Sequence, residues 1–386
     1  MYRSRNGAYE RSRLQGVEFS AFIPNPLPPI PPLDMDDFHQ GLESGHLAIG
    51  YLDALTTRLP SIEPLLYSYI RREAIASSQI EGTQSTFEDL LTFELGGVPS
   101  SSLDDAAEVS NYVAALQHGI SRLRSGLPIS STLIREVHEV LMQGEAQRHL
   151  LPGEFRRSQN WIGGSSPSTA AYVPPPPTEV LDCMSQLEQF IHEERSTLPT
   201  VIKAGLAHAQ FESIHPFLDG NGRAGRLLIA LMLDQAQLLS EPTLYLSLFF
   251  KQRRAEYYSL LGQLRENGDW ELWLRFFVDG VVWTAEDCIA VTEELTERFE
   301  VDQQQLLRLG RRAVSAGSAH EAFARRPMLN LRELSKESGL SLNTAASATD
   351  TLIELGIVSE RTGQLRNRIF AYDAYIDVLS RGGQPF

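Results

Sequence analysis

The chain has 386 residues, enough for two or three domains with a sizeable core, and its 42% apolar and 22% charged residues exclude wholesale disorder and a fibrous architecture. Its 34 basic and 49 acidic side chains give a formal charge of −15, so an anionic ligand must be held by a local cluster of arginines and amides. Two cysteines are too few for a disulfide framework or a thiolate metal cage, which fits a reducing compartment.

The predicted amino-terminal segment, residues 1–100, joins a proline-rich strap to two helices. Residues 1–15 are basic, but no apolar signal-peptide core follows them. Residues 24–32 read PNPLPPIPP, which predicts an extended polyproline strap that lies over the rest of the protein. The alternative, a binding motif for partners that recognise proline-rich segments, is less favoured. Apolar residues at helical spacing predict helices over residues 35–59 and 61–78.

The predicted central segment, residues 101–310, is helical except at one place. Helices are predicted over residues 103–123, 129–143, 180–192, 199–214 and 223–239, with a further set over 251–309. The most apolar run, residues 227–239, is too short to span a bilayer, so we expect no membrane association and a soluble, cytoplasmic protein. Between these helices, residues 153–177 contain two adjacent glycines and end in four prolines, which predicts a hairpin with a loop.

The predicted carboxy-terminal module, residues 311–386, has the element order of a winged helix. Its predicted helices and strands cover residues 331–338, 343–355, 357–361 and 368–372. Residues 327–386 contain six basic and seven acidic side chains, which is a poor footprint for nucleic acid. A module for packing or protein contact is therefore favoured over a DNA reader.

The most informative stretch is IHPFLDGNGRAGRLLIALML, residues 214–233. Pro216 biases His215 away from helical angles, so the preceding helix should end near Ile214 and leave the imidazole on a loop. Asp219 adds a hard oxygen ligand, which suits a Mg²⁺ ion that bridges phosphate oxygens. This loop is therefore the candidate for chemistry.

A phosphate site is predicted where the loop enters the next helix. Gly220 and Gly222 flank Asn221, a trio that can turn successive backbone amides inward as an anion-binding nest. Arg223 and Arg226 lie on one face of the first turn, where cations oppose the helix dipole unless an oligophosphate is bound. Each residue alone has an ordinary structural explanation, but their order and spacing together favour a nucleotide site.

The run from His215 to Arg226 resembles the signature of the Fic family at every defining position. The proline-rich start, the helical core and the winged-helix end also resemble the long bacterial Fic proteins. The resemblance implies a mainly α fold, in which a helical core carries a β-hairpin flap. It also implies transfer of AMP from ATP to a Ser, Thr or Tyr hydroxyl on an extended segment of a target protein.

The resemblance implies a role for each residue of the loop. His215 would be the general base that deprotonates the target hydroxyl, and Asp219 would hold Mg²⁺ on the α- and β-phosphates. Arg223 and the nest would stabilise the departing pyrophosphate, while Arg226 would clamp the γ-phosphate. The nucleotide-binding residues implied in this run are Gly220, Asn221, Gly222, Arg223, Gly225 and Arg226.

Two looser matches extend the predicted site. The hairpin resembles the family's flap, whose edge pairs with the target segment and lies over the nucleotide. The corresponding places are taken by Asn160, Trp161, Ile162 and Gly163. Tyr257 and Tyr258 resemble the family's adenine-side tyrosines, and a core aromatic role for at least one of them stays open.

A second motif, SSQIEG at residues 77–82, ends the helix predicted from residue 61. It resembles the family's inhibitory motif. Gly82 can end the helix, and the Glu81 carboxylate can compete with ATP for Arg226. The implied enzyme is therefore autoinhibited by Glu81.

Three functions stay open at this stage. The preferred one is AMP transfer from ATP to proteins, with self-modification expected and a homodimer left open. A second keeps the site but reverses the reaction, so that water guided by Glu81 removes AMP from a modified protein. A third makes the chain a nucleotide-sensing regulator whose winged helix reads DNA, and the acidic terminal module argues against it.

Overall fold

The chain folds mainly into helices, as predicted. A computed structural model describes residues 6–14, 16–59, 61–145, 147–193, 195–364 and 366–385. The helices are α1 (His39–Thr56), α2 (Glu63–Glu81), α3 (Phe87–Glu94), α4 (Leu103–Arg124), α5 (Ser131–Leu141), α6 (Val180–His192), α7 (Thr200–Ile214), α8 (Asn221–Gln235), α9 (Ser247–Gln252), α10 (Arg254–Asn267), α11 (Trp270–Leu307), α12 (Ala313–Arg325), α13 (Leu331–Ser338), α14 (Leu342–Glu354) and α15 (Asp373–Ser380). The strands are β1 (Gly7–Leu14), β2 (Val17–Pro24), β3 (Met328–Asn330), β4 (Ser359–Glu360) and β5 (Ile369–Ala371).

The chain divides into two compact units. The first combines residues 1–50 and 111–285, and the second combines residues 51–110 and 286–386. The three segments expected from the sequence stay a prediction. No helix within the described ranges is both long and apolar enough to cross a membrane.

A β-hairpin that was not predicted from the sequence opens the first unit. Strands β1 and β2 pair antiparallel along their whole length. Phe19 and Ala21 of β2 alternate toward one face and are buried, whereas β1 is mostly polar and gives no apolar alternation. The signal that could have found the hairpin is the glycine of its turn, Gly16, whose φ of 87° favours glycine.

The proline-rich strap after β2, predicted as an extended polyproline segment, contains bends. The chain bends at residues 27–28 and 30–31 before it reaches α1. Its start is anchored on both sides, because the amide of Asn25 donates to the carbonyl of Asn6 (2.8 Å) and the side chain of Gln210 donates to the carbonyl of Asn25 (2.9 Å). The strap is thus tied to α7 of the first unit.

Helices α7 and α8 form the centre of the first unit. In α8 every residue from 223 to 233 is buried, which confirms the predicted burial of this helix. The two helices approach closely at Gly225, where an added Cβ would lie 2.6 Å from Oε1 of Glu212. Gly205 allows a similar close approach between α7 and α11, because an added Cβ would lie only 3.0 Å from Leu274. The close packing of α7 against its neighbours makes α8, and thus its amino-terminal end, rigid.

The second unit contains α2, α3 and the carboxy-terminal elements. Strand β5 lies between β3 and β4 in a three-stranded antiparallel sheet. The predicted helix, turn and helix correspond to α13 and α14, and the two predicted strands to the shorter β4 and β5. Helices α3, α12 and α15 and strand β3 were not predicted, and the winged-helix assignment stays a prediction.

A buried polar cluster in the second unit joins α11, α12 and the residue after β5. The Tyr372 hydroxyl donates to the Asp302 carboxylate, and Nε2 of His320 lies 3.7 Å from the same oxygen. Burial raises the pKa of Asp302, but the hydrogen bond from Tyr372 and the nearby His320 ring outweigh it and hold that pKa below its usual value. The ionised carboxylate therefore depends on these two neighbours.

We expect Tyr372→Phe to lower the free energy of unfolding by about 1–3 kcal/mol, because the buried carboxylate loses a donor. Urea denaturation followed by circular dichroism measures the loss. Because the pKa of folded Asp302 is depressed, the loss should be full at neutral pH and shrink as the pH falls through that pKa. Tyr51→Phe is the control, since its hydroxyl binds Glu293 at an exposed position, and an equal loss there would contradict the cluster's role.

Candidate functional site

His215 lies in the short loop between α7 and α8. Helix α7 ends at Ile214, as predicted from Pro216, and the amide of His215 donates to the carbonyl of Phe211 (2.9 Å). His215 has left-handed angles, with φ of 50° and ψ of 59°, which are uncommon outside glycine. Such a conformation persists only where the surroundings hold it.

Arg156 holds one side of this loop. Its Nε donates to the carbonyl of His215 (2.9 Å), and its Nη2 donates to the carbonyls of Pro175 (2.6 Å) and Ile214 (3.4 Å). Its Nη1 donates to the carbonyl of Ser158 (3.3 Å). Burial lowers the pKa of Arg156 to about 10, so the guanidinium stays charged at neutral pH. One side chain thus joins the His215 loop to both arms of the predicted flap.

His138 of α5 holds the other end of the loop. The amide of Gly153 donates to Nδ1 of His138 (3.0 Å), so the proton of the neutral ring is on Nε2, which donates to the carbonyl of Asp219 (3.0 Å). The ring stacks on Phe217 with centroids 3.6 Å apart. Burial lowers the pKa of His138 to about 4, which keeps the ring neutral. Neither His138 nor Arg156 was predicted from the sequence to belong to the site.

Two predicted ligand residues use their side chains to fix the loop. Nδ2 of Asn221 and Nδ2 of Asn160 both donate to the carbonyl of Phe217, at 2.9 and 2.8 Å. Oδ1 of Asn221 accepts the amide of Phe217 (2.8 Å). The backbone amide of Asn221, rather than its side chain, is therefore the group that can face an anion.

The predicted nest is narrower than expected. Gly220 is left-handed, with φ of 72°, whereas Asn221 and Gly222 already belong to the first turn of α8. A Cβ at Gly220 would lie 2.7 Å from Sδ of Met142, so space as well as angle requires glycine there. Since the first amides of a helix have no partner inside it, the start of α8 is an anion-binding position.

Charged side chains surround this helix start. Arg223 and Arg226 are buried, with 6% and 2% exposure, and Nη2 of Arg223 lies 3.7 Å from Sδ of Met142. Asp219 is exposed at the mouth of the loop, where its Oδ1 accepts the amide of Gly220 (2.7 Å). Gly225 lies in the packed contact with α7, where its carbonyl accepts from Nδ1 of His208 (3.0 Å). Two buried cations at a helix amino-terminus oppose the dipole, so the arrangement favours a bound anion.

The imidazole of His215 is neutral. Burial lowers its pKa to about 3, and the charges of Arg265 and Arg156 act in the same direction, while the backbone carbonyl of Glu212 opposes them. Its Nδ1 is buried and makes no hydrogen bond with any residue that the structure describes. The ring is therefore in the form that accepts a proton at physiological pH.

The predicted flap, a hairpin with a loop, is held closed by one antiparallel bridge. The amide of Ile162 donates to the carbonyl of Tyr172 (2.8 Å), and the amide of Tyr172 donates back (3.1 Å). Pairing stops there because Gly163 and Gly164 are left-handed on one side and residues 174–177 are prolines, which lack amide donors, on the other.

The flap residues differ in their environments. Trp161 packs against the buried cluster of Phe19, Ala21 and Val173, so it joins the flap to the amino-terminal hairpin. Ile162 is 37% exposed, and Gly163 beside it is exposed as well. Of the four predicted flap residues, these two are the ones open to a partner.

The two tyrosines also differ, which corrects the adenine-side prediction for one of them. Tyr257 is 1% exposed, its hydroxyl donates to Nε2 of His208 (2.9 Å), and its ring lies 4.8 Å from that of Phe250. It is the core aromatic that the sequence left open as an alternative. Tyr258 is 42% exposed, with the guanidinium of Arg254 at 5.2 Å, and its contact with adenine stays a prediction.

We expect Arg156→Lys to lower the free energy of unfolding by about 1–3 kcal/mol, because an ammonium keeps the charge but cannot span four carbonyls. It should also speed amide hydrogen exchange of the His215 loop, measured by mass spectrometry. Arg157→Lys is the matched control, since its neighbouring side chain is 81% exposed and pairs with Glu154. Equal exchange in both variants would contradict the positioning role.

The chain is similar to known proteins over the segment that contains this loop. Residues 39–121 match the Fic/DOC family N-terminal domain, and residues 128–233 match the Fic/DOC family domain. Protein adenylyltransferase Fic of Drosophila erecta is 31% identical over 229 residues, which cover 58% of this chain and 42% of that protein. The same protein of Drosophila grimshawi is 32% identical over 206 residues, covering 52% of this chain and 39% of that protein. The chain thus spans less than half the length of these curated relatives.

Solved structures show the same fold. A Fic family protein from Desulfovibrio desulfuricans G20 aligns with a TM-score of 0.58 and 19% identity, over 91% of this chain and 98% of that one. Fic-1 (residues 134–508) of C. elegans aligns with a TM-score of 0.52 and 23% identity, over 67% of this chain and 73% of that one. These likenesses confirm the predicted fold class, a mainly α Fic fold. The narrower resemblance to the long bacterial form stays a prediction.

Proposed function

We propose that this chain, which carries both Fic/DOC family domains, is an adenylyltransferase that moves AMP from ATP to a hydroxyl group of a protein. The observation that supports it best is the loop between α7 and α8. There a neutral, rigidly held imidazole at His215 precedes a helix amino-terminus that carries two buried arginines, Arg223 and Arg226. A base and an anion-binding helix start on one loop are what this transfer needs. The matched family domains and the similar adenylyltransferases add support.

The proposed reaction is a displacement at the α-phosphorus of ATP. The oxygen of the target hydroxyl bonds to that phosphorus, while the bond from phosphorus to the bridging oxygen of pyrophosphate breaks and its electron pair leaves with pyrophosphate. Nδ1 of His215 is buried, so Nε2 is the ring atom that takes the hydroxyl proton. General bases of this kind contribute roughly 10²–10⁴-fold.

The surrounding residues supply charge and position. The first-turn amides of α8 and Arg223 would hold the departing pyrophosphate, and Arg226 would hold the γ-phosphate. Arg156 and His138 do not need to touch ATP, because their contacts keep the His215 loop in its unusual conformation. Tyr258, unlike Tyr257, has a ring exposed enough to lie beside adenine.

Asp219 is the residue that would hold Mg²⁺. Its exposed carboxylate is a suitable oxygen donor, and within the described ranges no group of three or more His, Cys, Asp or Glu could hold a metal by itself. That donor set fits a Mg²⁺ ion that takes its other ligands from phosphates and water. When bound, the ion would supply charge neutralisation on the phosphate oxygens.

The proposed target is an extended protein segment that carries a Ser, Thr or Tyr hydroxyl. The exposed Ile162 and Gly163 of the flap support this, since they are open to an added segment while Trp161 is packed inward. Self-modification and a homodimer belong to the same proposal.

We also infer that Glu81 restrains the reaction by competing with the γ-phosphate for Arg226. Glu81 is the last residue of α2, where the dipole disfavours a carboxylate, and Gly82 ends the helix with φ of 114°. The helix end is held in place because Nε2 of Gln79 donates to the carbonyls of Ser85 (2.8 Å) and Gly383 (2.9 Å). An acidic residue kept at an unfavourable but fixed position supports a regulatory role.

Incubation of the purified chain with α-labelled ATP or GTP, alone and with lysate, tests the proposal. We expect label from ATP on the chain itself and on a lysate protein, with mass spectrometry locating AMP on a hydroxyl. The Glu81→Gly variant is run in parallel, so that restraint cannot hide the activity. Absence of label in both forms would overturn the proposed function.

We expect Asp219→Asn to remove the effect of Mg²⁺ on ATP binding, because the amide is a far weaker ligand for the ion than the carboxylate. Calorimetric titrations with ATP, with and without Mg²⁺, measure the effect. Asp182→Asn is the matched control, since this exposed carboxylate accepts only a side-chain hydrogen bond from Gln186 in the described contacts. A Mg²⁺ response in Asp219→Asn equal to that of the control would show that the assignment is wrong.

A further inference from the structure

A cavity of about 1020 Å³ lies within the second unit and has no part in the proposed transfer. Its walls come from residues 86–100, from the start of α13, and from residues 361–364 and 366–368 between β4 and β5. Binding sites for small molecules commonly have volumes of roughly 300–1,000 Å³. The cavity is therefore large enough for a nucleotide-sized molecule.

Four arginines line this cavity, and one of them, Arg361, forms ion pairs with neighbouring carboxylates. Arg361 is paired with Asp373 at 2.7 Å and with Glu88 at 3.5 Å. Arg332, Arg366 and Arg368 form no ion pair with any residue in the described ranges, although Arg368 is near enough to Glu360 to help lower the pKa of that carboxyl. Guanidinium groups that line one cavity repel one another, so a bound anion would stabilise the arrangement.

The two carboxylates that line the cavity, Glu88 and Asp89, offset only part of the charge of its four arginines. Glu88 pairs with Arg361. Oδ1 of Asp89 accepts the amides of Ser100 (2.6 Å) and Ser101 (3.2 Å), while its Oδ2 accepts the amide of Thr86 (2.9 Å). In a chain with a formal charge of −15, this is a local positive field in a concave site.

Apolar side chains complete the walls. Val98 is 84% exposed and Leu342 is 56% exposed, and both line the cavity beside the arginines. Arginine forks match the oxygens of phosphate groups, and exposed apolar carbons match a ring or an alkyl part. We propose that this cavity is a second, non-catalytic site that binds a small phosphate-bearing molecule.

A fluorescent label placed in the cavity tests this proposal. Val98→Cys introduces an exposed thiol, whereas burial raises the pKa of Cys183 to about 11 and that of Cys288 to about 12, so an environment-sensitive dye should attach only at position 98. The labelled chain is titrated with inorganic pyrophosphate and, separately, with ADP. We expect a saturable change in fluorescence. The change should persist in Arg226→Ala, because the dye reports on the cavity and not on the transfer site.

Arginine substitutions give the decisive comparison. In Arg366→Ala with Arg368→Ala, the dissociation constant should rise by at least about tenfold, since charge-assisted hydrogen bonds are lost. The matched control is Arg308→Ala with Arg311→Ala, two exposed arginines of the same unit outside the cavity. Calorimetry with pyrophosphate on the unlabelled Arg226→Ala chain, with and without the two cavity substitutions, repeats the measurement without the dye.

The outcomes separate the ligands. Tighter binding of ADP than of pyrophosphate would support a nucleoside phosphate, and the reverse would support an inorganic one. Absence of a saturable change, or equal losses in the cavity and control variants, would overturn the proposal. Tighter, salt-dependent binding of a DNA duplex would overturn it in favour of a nucleic-acid surface.

Discussion

His215→Ala should abolish AMP transfer and leave ATP affinity nearly unchanged. The imidazole is proposed to take the proton from the incoming hydroxyl, a contribution of roughly 10²–10⁴-fold. Phosphate binding is assigned instead to the amides of α8 and to its arginines, which the substitution does not touch. Rates of label transfer and calorimetric titration with ATP measure the two effects separately.

A second variant keeps this test independent of folding. His215 has a φ of 50°, which alanine adopts less readily than asparagine does. His215→Asn therefore tolerates the left-handed backbone but supplies no base of comparable strength. We expect both variants to lose transfer, and transfer within a few fold of wild type in either one would remove His215 from its proposed role.

Glu81→Gly should raise transfer, including self-modification, far more than it raises ATP affinity. If the carboxylate displaces the γ-phosphate from Arg226, the nucleotide still binds but its α-phosphate lies out of line with the hydroxyl. Such misplacement can cost on the order of 10²-fold in rate. The rise should therefore be of that size, measured as label incorporated per unit time at saturating ATP.

Two further variants sharpen this test. Glu81→Gln removes the charge but keeps the side-chain shape, so it should also release transfer, whereas Glu300→Gln alters an exposed carboxylate of the same unit and should not. The reversed reaction gives a different expectation, because Glu81→Gly would then destroy hydrolysis of a modified target. Unchanged transfer in both Glu81 variants would leave Gly82 as a plain helix terminator.

Local rules accounted for the backbone of the candidate site. The end of α7 at Ile214 follows from the proline two residues later, and the left-handed Gly220 follows from the glycine at the entry to α8. The buried character of α8 followed from its unbroken apolar run. These features depend on neighbours in the chain, so the order of residues is enough to predict them.

Some sequence patterns are compatible with two different structures, and local rules could not choose between them. The spacing of Tyr257 and Tyr258 is the same for a core pair and for an adenine contact, and only the hydrogen bond to His208 assigns Tyr257 to the core. The mostly polar β1 shows no alternation, so its pairing with β2 was missed. The flap was predicted as a hairpin with a loop, but the extent of its pairing was not predicted because sequence does not reveal where pairing stops.

The amino-acid sequence alone was sufficient to predict the mainly helical fold, the backbone of the His215 loop and the burial of the helix that follows it, because short-range backbone preferences and apolar periodicity determine them. The residues that hold that loop in place could be identified only from the tertiary structure. Arg156 contacts a carbonyl 59 positions away and His138 one that is 81 positions away. The cavity of the second unit likewise combines Arg332 of α13 with the arginines that follow β4. Contacts between residues so distant along the chain leave no periodic signal, since they arise from how the helices and loops pack.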